Sequence, residues 1–317
     1  MRYLVTGGAG FVGSHVVDRL LADGSCVRVY DNLSSGKRSH FAQHLDNKDF
    51  EFVLGDVLKL DAVCAAMQGC DFVCHLASNP DIAKSMIETD LDLRLGTIAS
   101  FNVIEAMRRV GVKNIFFTSG SGIYGDTGER EVFEDMGPLE PISMYGASKL
   151  ASEGMISAYS HLHGIRAFIF RIANIIGPRQ THGVAYDFIA KLRKDPKHLD
   201  IWGDGTQSKS YIHATDLTAA MAHVIANAKE RYNVFNVATH DYLDVTAIAK
   251  MVVTAMGLGG VEFRYSGGKR GWAGDVPVVR FDIKRVLALG WKPKYGSEEA
   301  MRSSIAAMLK EPVSSSA

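Results

Sequence analysis

Through the first half of the chain, short apolar runs rich in β-branched and aromatic residues alternate with longer stretches of helical periodicity. Tyr3–Thr6, Val27–Asp31, Phe50–Gly55, Phe72–Ala77, Ile115–Ser119 and Ala167–Ile172 read as strands. Between them, Val12–Asp23, Leu60–Met67, Leu91–Arg109 and Tyr145–His163 read as helices with one apolar face. Strands that are apolar on both faces and separated by helices predict a parallel sheet covered on both sides.

After Asn174 the pattern changes. Gly177-Pro178 interrupts it, Arg193–Asp200 and Gly203–Ser210 read as longer loops, and helices near Asp216–Ala228, Val245–Met256 and Glu298–Leu309 alternate with short strands. The expected organisation is α/β throughout. A doubly wound parallel sheet occupies 1–173, and a smaller mixed α/β domain spans 174–311, with segments free to return to the first domain. Residues 312–317, Pro-Val-Ser-Ser-Ser-Ala, read as a disordered end.

Charge changes this picture little. Lys+Arg and Asp+Glu balance at 35 each over 317 residues, so no overall field favours nucleic acid or an anionic membrane. No apolar run approaches the ~20 residues needed to span a bilayer. Tyr3-Leu4-Val5 begins a strand straight after Met1-Arg2, leaving no secretory leader, so a cytoplasmic protein is expected. Cys26, Cys64, Cys70 and Cys74 show no C-x-x-C spacing and sit in or beside apolar runs. They read as reduced, packed thiols, with no metal site.

The chemistry begins directly after the first strand, with Thr6-Gly7-Gly8-Ala9-Gly10-Phe11-Val12-Gly13 leading into a helix. Glycines there permit a tight turn and close backbone approach to a pyrophosphate, which the free N–H groups of the helix start attract. A glycine turn that merely packs helix on strand has the same composition. Position decides between them: the motif lies between strand and helix, and Asp31 closes the next strand. A carboxylate there accepts from a ribose 2′-hydroxyl and repels a 2′-phosphate, which predicts NAD over NADP. Asp31 in Asp31-Asn32 is also ordinary turn chemistry, and the nearby Lys37 and Arg38 temper the NAD preference. Asp56, after Gly55, either reads an adenine amino group or caps the following helix.

Tyr145-Gly146-Ala147-Ser148-Lys149 opens a helix and places Tyr145 and Lys149 on one face. A free tyrosine ionises near ~10 and is a poor base at neutral pH. A lysine ammonium one turn away, with an oxidised nicotinamide, would favour the phenolate. Such pairs also occur on exposed helices with no catalytic role; following a dinucleotide loop and parallel strands, the catalytic reading prevails.

Together with His75-Leu76-Ala77, Tyr124-Gly125-Asp126, Arg171–Asn174, Gly177-Pro178-Arg179 and Gly203–Gln207, these residues resemble the nucleotide-sugar epimerase/dehydratase branch of the extended short-chain dehydrogenases. The resemblance runs from residue 1 to about 295, and within that branch it is strongest to the UDP-glucose 4-epimerases. It implies a Rossmann-type first domain and NAD as cofactor. It also implies a nucleotide sugar (UDP-linked) as substrate and a homodimer formed through Leu91–Arg109 and Tyr145–His163. Tyr145 would be the base and Lys149 would hold the nicotinamide ribose. Gly7, Gly10, Phe11, Val12, Gly13, Asp31, Asn32, Leu33, Ser35, Gly36, Asp56, Val57, Leu76, Ala77 and Ser78 would form the NAD site. Asn174, Lys209 (where the family places an arginine) and Arg270 would meet the diphosphate.

Two positions depart from the family pattern. Its third catalytic hydroxyl lies four residues before the Tyr-Gly tyrosine, which here is Gly120, between Ser119 and Ser121; Ser121 is the expected substitute, in catalysis and in sugar binding. Its asparagine three residues before Gly96 is Leu93 here. The reaction implied is 4-epimerisation: oxidation at C4, rotation of the ketose and return of hydride to the other face. Related dehydratases carry an Asp-Glu pair at the positions of Ser121 and Gly122, and decarboxylases a glutamate at that of Gly122. A dehydratase, decarboxylase or net oxidoreductase of the same fold is the alternative, and an NAD sensor without catalysis would need neither Tyr145 nor Lys149.

Overall fold

The computed structural model describes residues 1–310; the tail expectation for 312–317 lies outside them. Seven strands form one parallel sheet: β1 (Arg2–Thr6), β2 (Cys26–Asp31), β3 (Phe50–Leu54), β4 (Phe72–His75), β5 (Asn114–Gly120), β6 (Arg166–Ile172) and β7 (Tyr232–Val237). Their order across the sheet is β3-β2-β1-β4-β5-β6-β7. All neighbours are parallel, with Val5 opposite Val29 on one side and Cys74 on the other. The chain starts at β1, winds out to β3, then returns past β1 to β4 and beyond. The two directions diverge between β1 and β4, where a crevice opens at the strands' C-terminal ends.

Both faces of the sheet are covered, as apolar strands require. On one face, α2 (Leu60–Met67), α3 (Ala99–Val110) and α4 (Met144–His163) bury Met67, Ile104 and Ile156 against Leu4, Ile115 and Ile169. On the other, α1 (Phe11–Ala22) and α6 (Ala214–Asn227) bury Val16, Val17 and Met221 against Val5, Phe116 and Phe170. β7 comes from the C-terminal half and pairs along its whole length with β6, Val234 opposite Ile169.

A second lobe packs α5 (Val184–Lys194), α7 (Val245–Ala255) and α8 (Ser297–Lys310) around Phe188, Ile201, Val252 and Met301. Here the sequence reading needs correction. Residues 184–194 form a helix where none was expected, because its cap is Gly183, with no side-chain cap to announce it. The two expected loops each hold strand: His198–Ile201 pairs with Glu262–Tyr265, and Ser208–Lys209 with Leu243–Asp244. The helix expected over Leu91–Arg109 is present but is not α throughout. A π turn occupies Leu93–Ile98 before α3 begins at Ala99.

No helix among the described residues is long and apolar enough to cross a membrane. Cys70 and Cys74 are buried, Cys26 and Cys64 half-buried, and all four are free thiols.

Candidate active site

The glycines of the first turn set the shape of a cleft. Gly7 sits at φ 71°, and a Cβ on it would lie 2.7 Å from the Ala77 nitrogen. A Cβ on Gly13 would fall 2.1 Å from the Gly7 carbonyl oxygen, so α1 starts as close to β1 as backbone allows. Gly10 caps α1 without any side-chain hydrogen bond, leaving the first-turn N–H groups for an outside acceptor.

Asp31 is nearly buried at the tip of β2. Its carboxylate accepts from Ala9 N (3.0 Å) and Leu33 N (2.8 Å), and burial pushes its pKa up. It therefore braces the phosphate loop and still lines the cleft. Asp56 likewise lines the cleft while accepting from Leu58 N at 2.9 Å. For both acids, the loop-bracing role and the cleft-lining position coexist.

A cavity of about 400 Å³ runs from this loop along the C-terminal ends of the strands. Of the residues expected to hold NAD, all but Leu33 and Gly36 line it. Leu33, at φ 59°, forms the turn behind Asp31. Gly36 packs against Ala9, where a Cβ would come within 2.7 Å of the Ala9 Cβ. Two buried hydroxyls in the wall, Ser78 Oγ and Ser119 Oγ, have no hydrogen-bond partner. Buried hydroxyls rarely stay unpaired, so these two are available to polar groups of a bound molecule. The glycine cradle, the free helix start, the acid on β2 and these hydroxyls fit NAD.

Tyr145 and Lys149 sit on the first turns of α4, which Ser143 caps by accepting from Gly146 N at 3.1 Å. Both face the cleft. The Lys149 Nζ donates to Thr118 O at 2.8 Å and lies 5.4 Å from the centre of the Tyr145 ring. Burial lowers the lysine to about 8, opposed by the charges of Asp92 and Glu153. In the protein alone, the Tyr145 pKa is pushed up to about 12, first by burial and then by Asp92. The ammonium alone does not outweigh that desolvation.

Ser119, Gly120, Ser121 and Gly122 also line the cleft. Gly120 is extended, and a Cβ there would have only Ile172 O at 4.0 Å for company. A second cavity of about 730 Å³ continues into the other lobe, sharing Tyr145, Asn174, Lys209, His182, Trp272 and Asp275 with the first. The last three escaped the sequence reading, because only the tertiary fold brings loops 181–183 and 271–276 over Tyr145. Lys209 Nζ donates to Asp275 Oδ1 at 2.6 Å. Arg270 lines neither cavity; it bridges to Asp126 at 2.6 Å, anchoring the loop that carries Trp272. Tyr124 supports the fold: its hydroxyl donates to Asn236 Oδ1 at 2.7 Å and accepts from Arg171, itself paired with buried Glu153.

The sequence profile of the NAD dependent epimerase/dehydratase family matches residues 3–238. The chain belongs to this family. Its fold is that of the short-chain dehydrogenase-type epimerases and dehydratases, and the family is NAD-dependent. UDP-glucose 4-epimerase of Mycolicibacterium smegmatis is 33% identical over 241 residues, 74% of this chain and 77% of that protein. A crystal structure of UDP-galactose 4-epimerase superposes with TM-score 0.87 at 36% identity, covering 98% of this chain and 99% of the other. The Thermus thermophilus UDP-glucose 4-epimerase complex with NAD gives 0.86 at 31%, with the same coverage. UDP-glucuronic acid decarboxylase 1 of Xenopus tropicalis is 29% identical over 98% of this chain and 72% of its own length. The relatives named here are enzymes of UDP-sugars, and they carry more than one reaction.

Proposed function

We propose that the chain is an NAD-dependent nucleotide-sugar 4-epimerase, with a UDP-sugar as substrate. The observation that carries this reading is the wall facing Tyr145. Removing water across C5 and C6 requires an acid for the leaving hydroxyl and a base for the C5 proton. Between Gly120 and Gly122 the wall offers one serine and no carboxylate. Acids nearby in sequence are spent elsewhere. Glu129 pairs with Arg280 at 2.8 Å, Glu131 lies in a strand paired with Arg280–Phe281, and buried Glu134 accepts from Asn236 N. None of the three lines either cavity. Epimerisation needs room for a ketose to turn, and the open space over Gly120 supports that.

Bound NAD would supply a reversible two-electron acceptor and a positive ring charge that favours the Tyr145 phenolate. Gly7, Gly10 and Gly13 would hold its pyrophosphate, and Asp31 its adenosine ribose. Tyr145 takes the C4 hydroxyl proton and returns it after the ketose has turned. Lys149, fixed by Thr118 O, keeps positive charge beside the phenolate. Lys209 leaves Asp275 for the substrate diphosphate, and Asn174 lies beside it at the junction of the cavities. The unpartnered Ser119 Oγ and the half-buried Ser121 are both placed to supply the third hydroxyl. A homodimer is part of this reading, supported by the exposed Leu93, Ile98 and Phe101.

The test is incubation with NAD and a panel of UDP-, dTDP-, GDP- and CDP-sugars, with products resolved by NMR and mass. Unchanged mass with inverted C4 coupling supports the reading. Loss of water or carbon dioxide refutes it.

A further inference from the structure

Asp92 is a carboxylate with 1% of its surface exposed, placed where the chain enters the π turn at Leu93–Ile98. Buried carboxylates are costly unless held by donors. Here Asn79 Nδ2 donates to one oxygen at 3.0 Å, and Ser85 Oγ donates to the other. Asn79 and Ser85 are themselves buried, and Asn79, Pro80 and Ile82 line both cavities. The loop over the sugar pocket is thus pinned to this carboxylate.

What the carboxylate faces follows from Gly96. A Cβ there would lie 2.4 Å from Ser148 Oγ, so the backbone of the π turn rests on the Ser148 side chain of α4. Ser152, one turn beyond Ser148, points its hydroxyl at the Gly96 carbonyl oxygen at 3.5 Å. Asp92 stands four residues before Gly96 and Tyr145 three before Ser148, and Asn79, which donates to Asp92, lines both cavities together with Tyr145.

Other charged and titratable groups packed around the pair are occupied or neutral. Glu153 on α4 is bound to Arg171. His75 on β4 is held between Thr6 Oγ1 and Ser100 Oγ, and burial pushes it down to about 3. Asp81 accepts from Lys84 N, while Lys84 pairs with Glu88 and Arg94 with Asp90 at the surface.

We propose that Asp92 is a positioning residue of the proton-transfer pair, its buried carboxylate held by Asn79 and Ser85 where the π turn packs on the helix that carries Tyr145 and Lys149. The inference rests on Tyr145 being the base. Lys149 stands at about 8 with Asp92 present, and the same charge opposes the Tyr145 phenolate. Removing it therefore moves both ionisations to lower pH.

The experiment needs no sugar. Tyrosinate absorbance of the NAD-bound protein is titrated in wild type and Asp92→Asn, each with its Tyr145→Phe counterpart subtracted. Asp92→Asn should move the Tyr145 transition down by roughly one pH unit, the scale of a nearby charge in a partly screened interior. The alkaline limb of kcat, measured with whichever sugar turns over, should move the same way. Ser85→Ala keeps the charge and loses one anchor, so turnover should fall several-fold with the transition in place. Asp92→Ser serves as the neutral variant if Asp92→Asn does not fold. A Tyr145 transition unmoved in the neutral variant overturns the proposal, whatever happens to rate. A failed sugar panel would instead count against the epimerase reading alone.

Discussion

Replacing Gly120 by serine tests whether the wall opposite Tyr145 can supply a hydroxyl to the reacting oxygen. The backbone there is extended, at φ −161° and ψ 173°, a conformation any residue adopts. The new Cβ would meet nothing nearer than Ile172 O at 4.0 Å, so stability should stay within ~0.5 kcal/mol of wild type. A hydroxyl bonded to an oxygen gaining negative charge contributes ~1.5–3 kcal/mol, equivalent to roughly 10- to 150-fold in rate. Under the proposed mechanism, Ser119 or Ser121 already provides part of that in wild type. The full effect should therefore emerge in the Ser119→Ala, Ser121→Ala background. That double variant should lose roughly 10-fold or more in kcat/KM, and adding Gly120→Ser should recover most of the loss. The assay is epimerisation of the best nucleotide sugar, alongside NAD titration and thermal melts. If the double variant loses less than about threefold, the hydroxyl is dispensable. If Gly120→Ser rescues nothing while binding NAD normally, this stretch does not face the reacting oxygen.

Tyr145→Phe should retain folding and NAD binding but lose ~10²–10⁴-fold in turnover; most of the activity surviving would move the base elsewhere. Gly13→Ala drives a methyl into Gly7 O and the Gly8 Cα, at 2.1 and 2.7 Å. Overpacking of ~1–3 kcal/mol should weaken NAD binding by roughly 5- to 150-fold in calorimetry. Asp31 predicts NAD over NADP, and Asp31→Ser should narrow the gap; equal binding of both by wild type would remove Asp31 from the ribose. Burial pushes His15 down to about 4 and His75 to about 3. The unfolded chain takes up those protons first, so stability present at pH 7 should be lost as pH falls from about 6.5 toward 4. Urea midpoints at pH 7 and 5 check this, and His15→Gln should flatten part of the difference.

The sequence was most informative where local chemistry and position agree. Gly7 to Gly13, Asp31 and Tyr145–Lys149 are read from spacing alone, because a phosphate loop and an i,i+4 pair are local geometries. What escaped depends on contacts distant in sequence. His182, Trp272 and Asp275 reach the cleft from loops whose composition is ordinary. Arg270 looked like a phosphate cation, but Asp126, 144 residues away, holds it. α5 has a glycine cap, so nothing polar marked its start. The π turn leaves no periodic trace in Leu91–Arg109, although Gly96, with no Cβ, seats it on the Ser148 side chain. The upward push of burial on the Tyr145 pKa is not legible in the sequence, because desolvation is a property of the folded surroundings.

The return of β7 to the sheet has a consequence for synthesis. Ala167, Phe168, Ile169 and Phe170 of β6 are fully buried, and the outer hydrogen-bonding edge of that strand is closed only by Tyr232–Val237. As the chain leaves the ribosome, that partner emerges about 65 residues after β6 is complete, a gap of roughly 3 to 13 s at ~5–20 residues per second. During that interval a flat apolar strand offers its unpaired edge to any other chain nearby. Slower translation through α5 and α6 would lengthen the exposure, and a protein truncated before 232 would never end it.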